Sequence, residues 1–94
     1  MELHIAKEKF LNWLEVIKNK SPKTVEQYNR HLEKFSKFIT DKKGGDFQVE
    51  KIDLDTAEAF RTYIYKSAKH PISLKTANAY MITLRSFLKY LEKT

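Results

Sequence analysis

Two stretches of the chain share a pattern that decides its fold: SPKTVEQYNRHLEKF at residues 21–35 and SLKTANAYMITLRSF at residues 73–87, offset by 52 positions. In both, apolar residues recur every three or four positions, which predicts amphipathic helices. Each stretch begins with a serine that can cap a helix, and Pro22 suits a first helical turn. Seven pairs of positions are identical, six within these stretches and the seventh two residues beyond them: Ser21/Ser73, Lys23/Lys75, Thr24/Thr76, Tyr28/Tyr80, Leu32/Leu84, Phe35/Phe87 and Lys37/Lys89.

The same periodicity extends over the rest of the chain and predicts an all-α domain with at least four helices. We expect them at about residues 3–20, 22–40, 53–69 and 73–92. Asp53 or Asp55 caps the third helix, and His70-Pro71 ends it because the residue before proline avoids helical geometry. The loop at residues 41–51 contains Gly44 and Gly45. The residues expected to face the core are Leu3, Ala6, Phe10, Trp13, Leu14, Ile17, Val25, Tyr28, Leu32, Phe35, Ile39, Phe47, Val49, Ala57, Phe60, Tyr63 and Ile64.

Composition restricts the class of protein. Ninety-four residues form one domain with one modest core. The absence of cysteine excludes disulfides, thiolate metal sites and cysteine nucleophiles, and two glycines are too few for a phosphate-binding loop. No apolar run approaches the ~20 residues that span a bilayer, and no secretory signal is present. We therefore expect a soluble cytoplasmic domain without a cofactor or metal ion.

The positive charge is unevenly distributed. The net charge is +6, from 18 Lys and Arg against 12 Asp and Glu, and the second and fourth helices hold five of the six. At about 100° per residue these charges form one strip on each helix, opposite the apolar side. On the second helix the strip comprises Lys23, Gln27, Arg30, Lys34 and Lys37. On the fourth it comprises Lys75, Asn78, Ala79, Ser86, Lys89 and Lys93, together with Ile82.

The two helix starts point to a phosphate ligand. Lys23 and Lys75 lie in the first turn, where the helix dipole disfavours a cation by about 0.3–1 kcal/mol. Free N–H groups, the hydroxyls of Thr24 and Thr76 and a lysine are what a phosphate oxygen binds. Helix capping explains Ser21 and Ser73, but it does not explain an electrostatically unfavourable lysine in the first turn of both helices. Contact with a phosphate explains the serines and the lysines.

The ordered motifs resemble the core-binding domain of tyrosine recombinases, the family of phage integrases and Xer resolvases. The motifs are Ser21-x-Lys-Thr-x-x-x-Tyr28-x-x-x-Leu32-x-x-Phe35, Thr76-x-x-x-Tyr80-x-x-x-Leu84-Arg-Ser-Phe87-x-x-Tyr90-Leu91 and the opening Phe10-Leu-x-x-Leu14. The resemblance covers essentially the whole chain. It implies a four- to five-helix SAM-like bundle of two helical hairpins that forms half of a clamp on duplex DNA.

By position, the resemblance implies DNA contacts from both basic helices. On the second helix they would come from Thr24, Gln27 and Arg30, and on the fourth from Lys75, Thr76, Ala79 and Thr83. Thr83 lies at one edge of its strip, and Ala79 can only pack, for example on a thymine methyl. Ile82 is expected to contact another recombinase subunit or the catalytic domain.

The family's cleavage chemistry belongs to a separate C-terminal catalytic domain with an arginine, a lysine, a His-x-x-Arg motif and a nucleophilic tyrosine. None of His4, His31 and His70 is followed three residues later by arginine. The histidines lack metal-site spacing and are expected to be solvated or capping. We therefore expect residues 1–94 to be a non-catalytic DNA-binding domain, and the end of the chain near the family's interdomain linker favours a fragment.

Two other functions remain open at this point. The basic strips could bind an acidic protein partner, making the chain a helical protein-interaction module. An independent enzyme is the more distant reading. A membrane-surface role is disfavoured because a chain this short needs each apolar stripe to close its core.

Overall fold

The computed structural model describes residues 1–44 and 47–93, with residue 43 described by its backbone alone. Within those residues the chain is all-α, as predicted, with four α-helices and one short 3₁₀ helix at Val49–Lys51. The helices are α1 (Leu3–Val16), α2 (Pro22–Lys43), α3 (Leu54–Ser67) and α4 (Leu74–Glu92). No helix in this described part is long and apolar enough to cross a bilayer.

Helix starts match the sequence prediction more closely than helix ends. Ser21, Asp53 and Ser73 cap α2, α3 and α4 by accepting a hydrogen bond from the backbone N–H three residues on. In contrast, α1 stops four residues earlier than expected, because Asn19 adopts a left-handed backbone (φ 53°) ahead of the next cap. Ile17, expected in the core, is consequently 68% exposed.

Helix α2 runs three residues beyond its predicted end and takes up part of the expected loop. Gly44 follows it with φ 93°, a conformation that favours glycine. Gly45 lies outside the described residues. Phe47 and Val49 are buried as predicted, and the Phe47 carbonyl accepts a hydrogen bond from the Leu3 N–H at 3.1 Å.

The first half of the core is an aromatic cluster around Phe10 of α1, which is fully buried. Its ring centroid lies 6.1 Å from Trp13 on the same helix and 6.2 Å from Tyr28 on α2. On α4 it lies 5.4 Å from both Phe87 and Tyr90. Thus α1 contacts the first half of α2 and the second half of α4.

The second half of the core repeats this cluster around Phe60 of α3. Its centroid lies 6.5 Å from Tyr63 on the same helix and 6.3 Å from Tyr80 on α4. On α2 it lies 5.0 Å from Phe35 and 5.5 Å from Phe38. Every ring has its counterpart in the first cluster, at an offset of 50 residues for α1/α3 and 52 for α2/α4.

The domain is therefore two helical hairpins, α1–α2 and α3–α4, related by an internal pseudo-two-fold axis. The axis exchanges position 31 with position 83, and these two residues touch: His31 Nδ1 and Thr83 Oγ1 are 2.7 Å apart. The sequence repeat indicated a relation between α2 and α4. The structure extends that relation to α1 and α3.

Candidate nucleic-acid interface

The orientation of α2 and α4 determines which way their basic strips face. The two helices are antiparallel, because α1 contacts the first half of α2 and the second half of α4, and α3 contacts the remaining halves. An axis that exchanges two antiparallel neighbours runs perpendicular to the layer they form. It therefore leaves most of α1 and α3 on one side of that layer. On the other side Lys23, Gln27, Arg30 and Lys37 are exposed, and α3 reaches the edge at Lys34 through Tyr63.

The basic strips lie on this open side. The directions of the contacts can be placed on a helical wheel of α2 with Lys23 at 0°. The contact with α4 lies at about 80°, the position of His31. The contacts with α1 lie between about 140°, the position of Tyr28, and about 280°, the position of Glu33. The strip lies within about 40° of Lys23, opposite α1, and the axis gives α4 the same arrangement. We call this surface the basic face: Lys23, Gln27, Arg30, Lys34 and Lys37 of α2 with Lys75, Ala79, Ile82, Ser86, Lys89 and Lys93 of α4.

The predicted site residues differ in accessibility. Lys23, Gln27, Arg30, Lys37, Lys75, Thr76, Asn78 and Lys89 are exposed. Thr24, Lys34, Ala79 and Ser86 are partly buried. Asn78 lies about 60° to the side of Lys75 and so flanks the basic face. Lys34 extends along the surface with its ammonium 5.6 Å from the centre of the Tyr63 ring.

Thr83 corrects the sequence prediction. It was expected at an edge of the strip, but it is 1% exposed and lies beneath the basic face at the pseudo-two-fold axis. Its hydroxyl donates to the Ala79 carbonyl oxygen at 3.2 Å and also forms a 2.7 Å hydrogen bond with His31 Nδ1. Both polar capacities are used inside the protein, and Thr83 cannot contact a ligand on the surface.

His31 also differs from the sequence prediction, in which the histidines are solvated or cap a helix. Its ring is partly buried and lies 4.4 Å from the centroid of Tyr80. Burial, and then the neighbouring Arg30 guanidinium, lower the pKa of His31 below its usual value. The imidazole is therefore a neutral structural link between α2 and α4.

The starts of α2 and α4 have matching geometry. At each, the serine Oγ accepts from the threonine N–H, at 3.2 Å for Thr24 and 3.1 Å for Thr76, and donates to the threonine Oγ1 at 3.0 Å. Each threonine keeps its hydroxyl proton available for a ligand. Neither first turn contains an acidic residue, whereas that of α3 contains Asp55. Because α2 and α4 are antiparallel, their starts lie on opposite sides of the His31–Thr83 contact. Lys23 and Lys75 are each about 12 Å from that contact along their own helix.

The sequence prediction missed two lysines beside the basic face. Lys18 and Lys20, expected inside the first helix, belong to the connection between α1 and α2. There they line the same depression as Ser86, Lys89 and Lys93 of α4. The early end of α1, which local periodicity did not indicate, brings them to this position. Within the described ranges, no three His, Asp or Glu side chains are grouped so that they could hold a metal ion.

Comparison of the sequence with known proteins gives one family and several relatives. Residues 8–94 match the family model described as phage integrase, N-terminal SAM-like domain. The chain is 31% identical over 90 residues to tyrosine recombinase XerC of Leptospira interrogans, which covers 95% of this chain and 27% of that protein. It is 30% identical over 93 residues to tyrosine recombinase XerC of Oceanobacillus iheyensis, covering 99% of this chain and 28% of that protein.

The chain thus spans a little over a quarter of the length of these relatives. No solved structure matches it significantly. The family match extends over both hairpins and includes both basic helices. The chain therefore belongs to the family of N-terminal SAM-like domains of phage integrases, the domain found in tyrosine recombinases.

Proposed function

We propose that this domain binds duplex DNA through the basic face, as the non-catalytic half of a tyrosine site-specific recombinase. The observation that supports this best is that the cationic strips of two duplicated helices lie on the same open side of the domain. Lys23 and Lys37 alone are separated by 14 residues of helix, about 21 Å of rise. A surface of that extent can meet several phosphates of a duplex at once.

Roles within the basic face follow from side-chain chemistry. Lys23 and Lys75, with the hydroxyls of Thr24 and Thr76, would bind phosphates at the two ends of the face. Arg30 lies near the pseudo-two-fold axis and has the planar donor set suited to a phosphate or a guanine edge. Its counterpart across the axis is Ile82, which is 54% exposed and would meet the catalytic domain or another recombinase subunit.

Strand cleavage would belong to the catalytic domain of the parent recombinase. Tyr28 and Tyr80 pack against Phe10 and Phe60 in the two aromatic clusters, and this favours a structural role for both phenols. We expect the isolated domain to bind DNA without nicking it. An affinity of about micromolar or weaker is expected, near the range of non-specific binding.

Substitution on the basic face tests the proposal. Non-specific DNA binding has a free energy of about 5.5–8 kcal/mol. If about five cations share it equally, the loss of one should lower the affinity roughly tenfold. Arg30→Ala and Lys75→Ala should each weaken binding to a 20-base-pair duplex by about that factor. Both side chains are exposed, so the melting temperature should stay within about 3 °C.

Helix α3 supplies matched controls. Arg61→Ala and Lys66→Ala remove the same charges from exposed positions on α3, outside the basic face, and should change DNA affinity less than twofold. Equal losses in both sets would indicate attraction by net charge alone and would reject the assigned face. A wild-type domain that binds an acidic protein partner would show no DNA affinity, or none that depends on duplex length.

A further inference from the structure

A cleft of about 280 Å³ opens at one end of the basic face, between the end of α1, the start of α2 and the second half of α4. Trp13, Tyr28 and Tyr90 line it, each of them partly buried. The Trp13 and Tyr90 rings lie 5.0 Å apart, inclined by 44°. The cleft therefore presents aromatic surface to solvent, and its volume lies near the lower limit of about 300 Å³ for small-molecule sites.

Cations surround this aromatic surface. Lys18, Lys20, Lys89 and Lys93 all line the cleft, and no described carboxylate does. The Lys18 ammonium lies 5.3 Å from the centre of the Trp13 ring, within the range of a cation–π contact. A ligand that fits this environment carries negative charge next to a flat, apolar group.

The internal symmetry relates the residues of this cleft to residues around Tyr63 at the other end of the domain. The axis relates Trp13 to Tyr63 and Ser86 to Lys34. At the Tyr63 end, the Lys34 ammonium lies over the Tyr63 ring, 5.6 Å from its centre. At the equivalent position in the α4 half, Ser86 is too short to reach Trp13. The two ends therefore differ in the lysine that lies over the ring: Lys34 of α2 over Tyr63, and Lys18 of the α1–α2 connection over Trp13.

We infer that this cleft binds an unpaired nucleotide of single-stranded DNA, with its base against Trp13 and the adjoining phosphates against the lysines. The inference rests on the proposed DNA-binding function, because Ser86, Lys89 and Lys93 belong to the basic face as well. A strand lying along that face could place an unpaired base in the cleft. Stacking on aromatic side chains is tolerant of sequence and is worth roughly 5- to 150-fold in affinity per base.

Fluorescence offers a direct test, because Trp13 is the only tryptophan of the chain. Titration with a ten-residue oligothymidylate should quench Trp13 emission and saturate, whereas inorganic triphosphate should not quench it. An absence of quenching at oligonucleotide saturation would overturn the inference. Stronger quenching by a glutamate-rich peptide containing one tyrosine would also overturn it, by identifying a protein ligand.

The variant Ser86→Lys separates stacking from charge. It adds a cation to the basic face and places a longer side chain in the cleft, where that side chain should compete with a base for the Trp13 ring. We expect oligothymidylate affinity to fall at least fivefold with loss of quenching, while duplex affinity stays equal or rises. Thr62→Lys adds the same charge at an exposed position on α3 and should not reduce affinity for either probe. An increase in oligothymidylate affinity for Ser86→Lys would overturn the inference.

A second pair of variants does not depend on repacking. Lys18→Gln should lower oligothymidylate affinity about threefold or more, whereas Lys66→Gln on α3 should not. Equal effects would overturn the inference. Duplex binding without a Trp13 response would reject the cleft and retain the proposed function, and the reverse result would reject the basic face as a duplex-binding surface.

Discussion

The hydroxyl of Thr83 is a buried link between α2 and α4, and its removal should destabilise the domain. The substitution Thr83→Val preserves the shape of the side chain but removes the hydroxyl that is hydrogen-bonded to His31 Nδ1 and to the Ala79 carbonyl oxygen. Because Thr83 is 1% exposed and His31 is partly buried, water cannot fully replace the lost partner. A hydrogen bond contributes a net stabilisation of about 1 kcal/mol, and a buried polar group left without a partner lowers the free energy of unfolding by about 1–3 kcal/mol.

We therefore expect Thr83→Val to lower the free energy of unfolding by about 1–2 kcal/mol. In a domain of this size that corresponds to a melting temperature roughly 4–15 °C lower. Urea and thermal unfolding followed by circular dichroism measure the loss. A double-mutant cycle with His31→Ala should give a coupling energy of about 1 kcal/mol between the two side chains. Unchanged stability together with weakened DNA binding would refute the assignment and return Thr83 to the binding surface.

Two further predictions concern the same helices. Burial and the neighbouring Arg30 lower the pKa of His31, so the unfolded chain binds a proton there more readily than the folded chain. The contribution of His31 should therefore make the domain less stable as the pH drops below about 6.5, and it should not change with pH above that value. His31→Gln should flatten this dependence, and an unaltered pH profile in the variant would argue against the assignment. Ser21→Ala and Ser73→Ala should each cost about 1 kcal/mol in urea unfolding, because each serine caps its helix through the same hydrogen bond. Ser67→Ala, at the exposed end of α3, should cost less than 0.5 kcal/mol, and a loss at only one of the two caps would contradict their equivalence.

The helices and their starts could be predicted because their causes are local. Apolar spacing and the serine and aspartate caps act within one or two turns, and the structure confirms all three predicted caps. The end of α1 could not be predicted from this pattern. Ile17 continues the apolar period, but the left-handed turn at Asn19 ends the helix first and exposes that side chain.

The composition of the site depended on contacts between helices, which local periodicity does not contain. A helical wheel places Thr83 at the border of the strip and cannot show that His31 lies opposite it on α2. Sequence identity revealed the repeat of α2 in α4. It did not reveal that of α1 in α3, where the shared feature is the set of rings around Phe10 and Phe60. The cleft at Trp13 depended on the early end of α1, which places Lys18 and Lys20 along its edge.

The salt dependence of duplex binding tests the basic face most directly. Fluorescence anisotropy with a labelled 20-base-pair duplex, from 50 to 200 mM salt, gives the slope of log affinity against log salt. Five phosphate contacts, from Lys23, Arg30, Lys37, Lys75 and Lys89, predict a slope near −4.5 and an affinity about 500-fold lower at the higher salt. Arg30→Ala should bring the slope to about −3.6, while Arg61→Ala should leave it unchanged. A slope near zero, or equal changes in the two variants, would contradict duplex binding through this face.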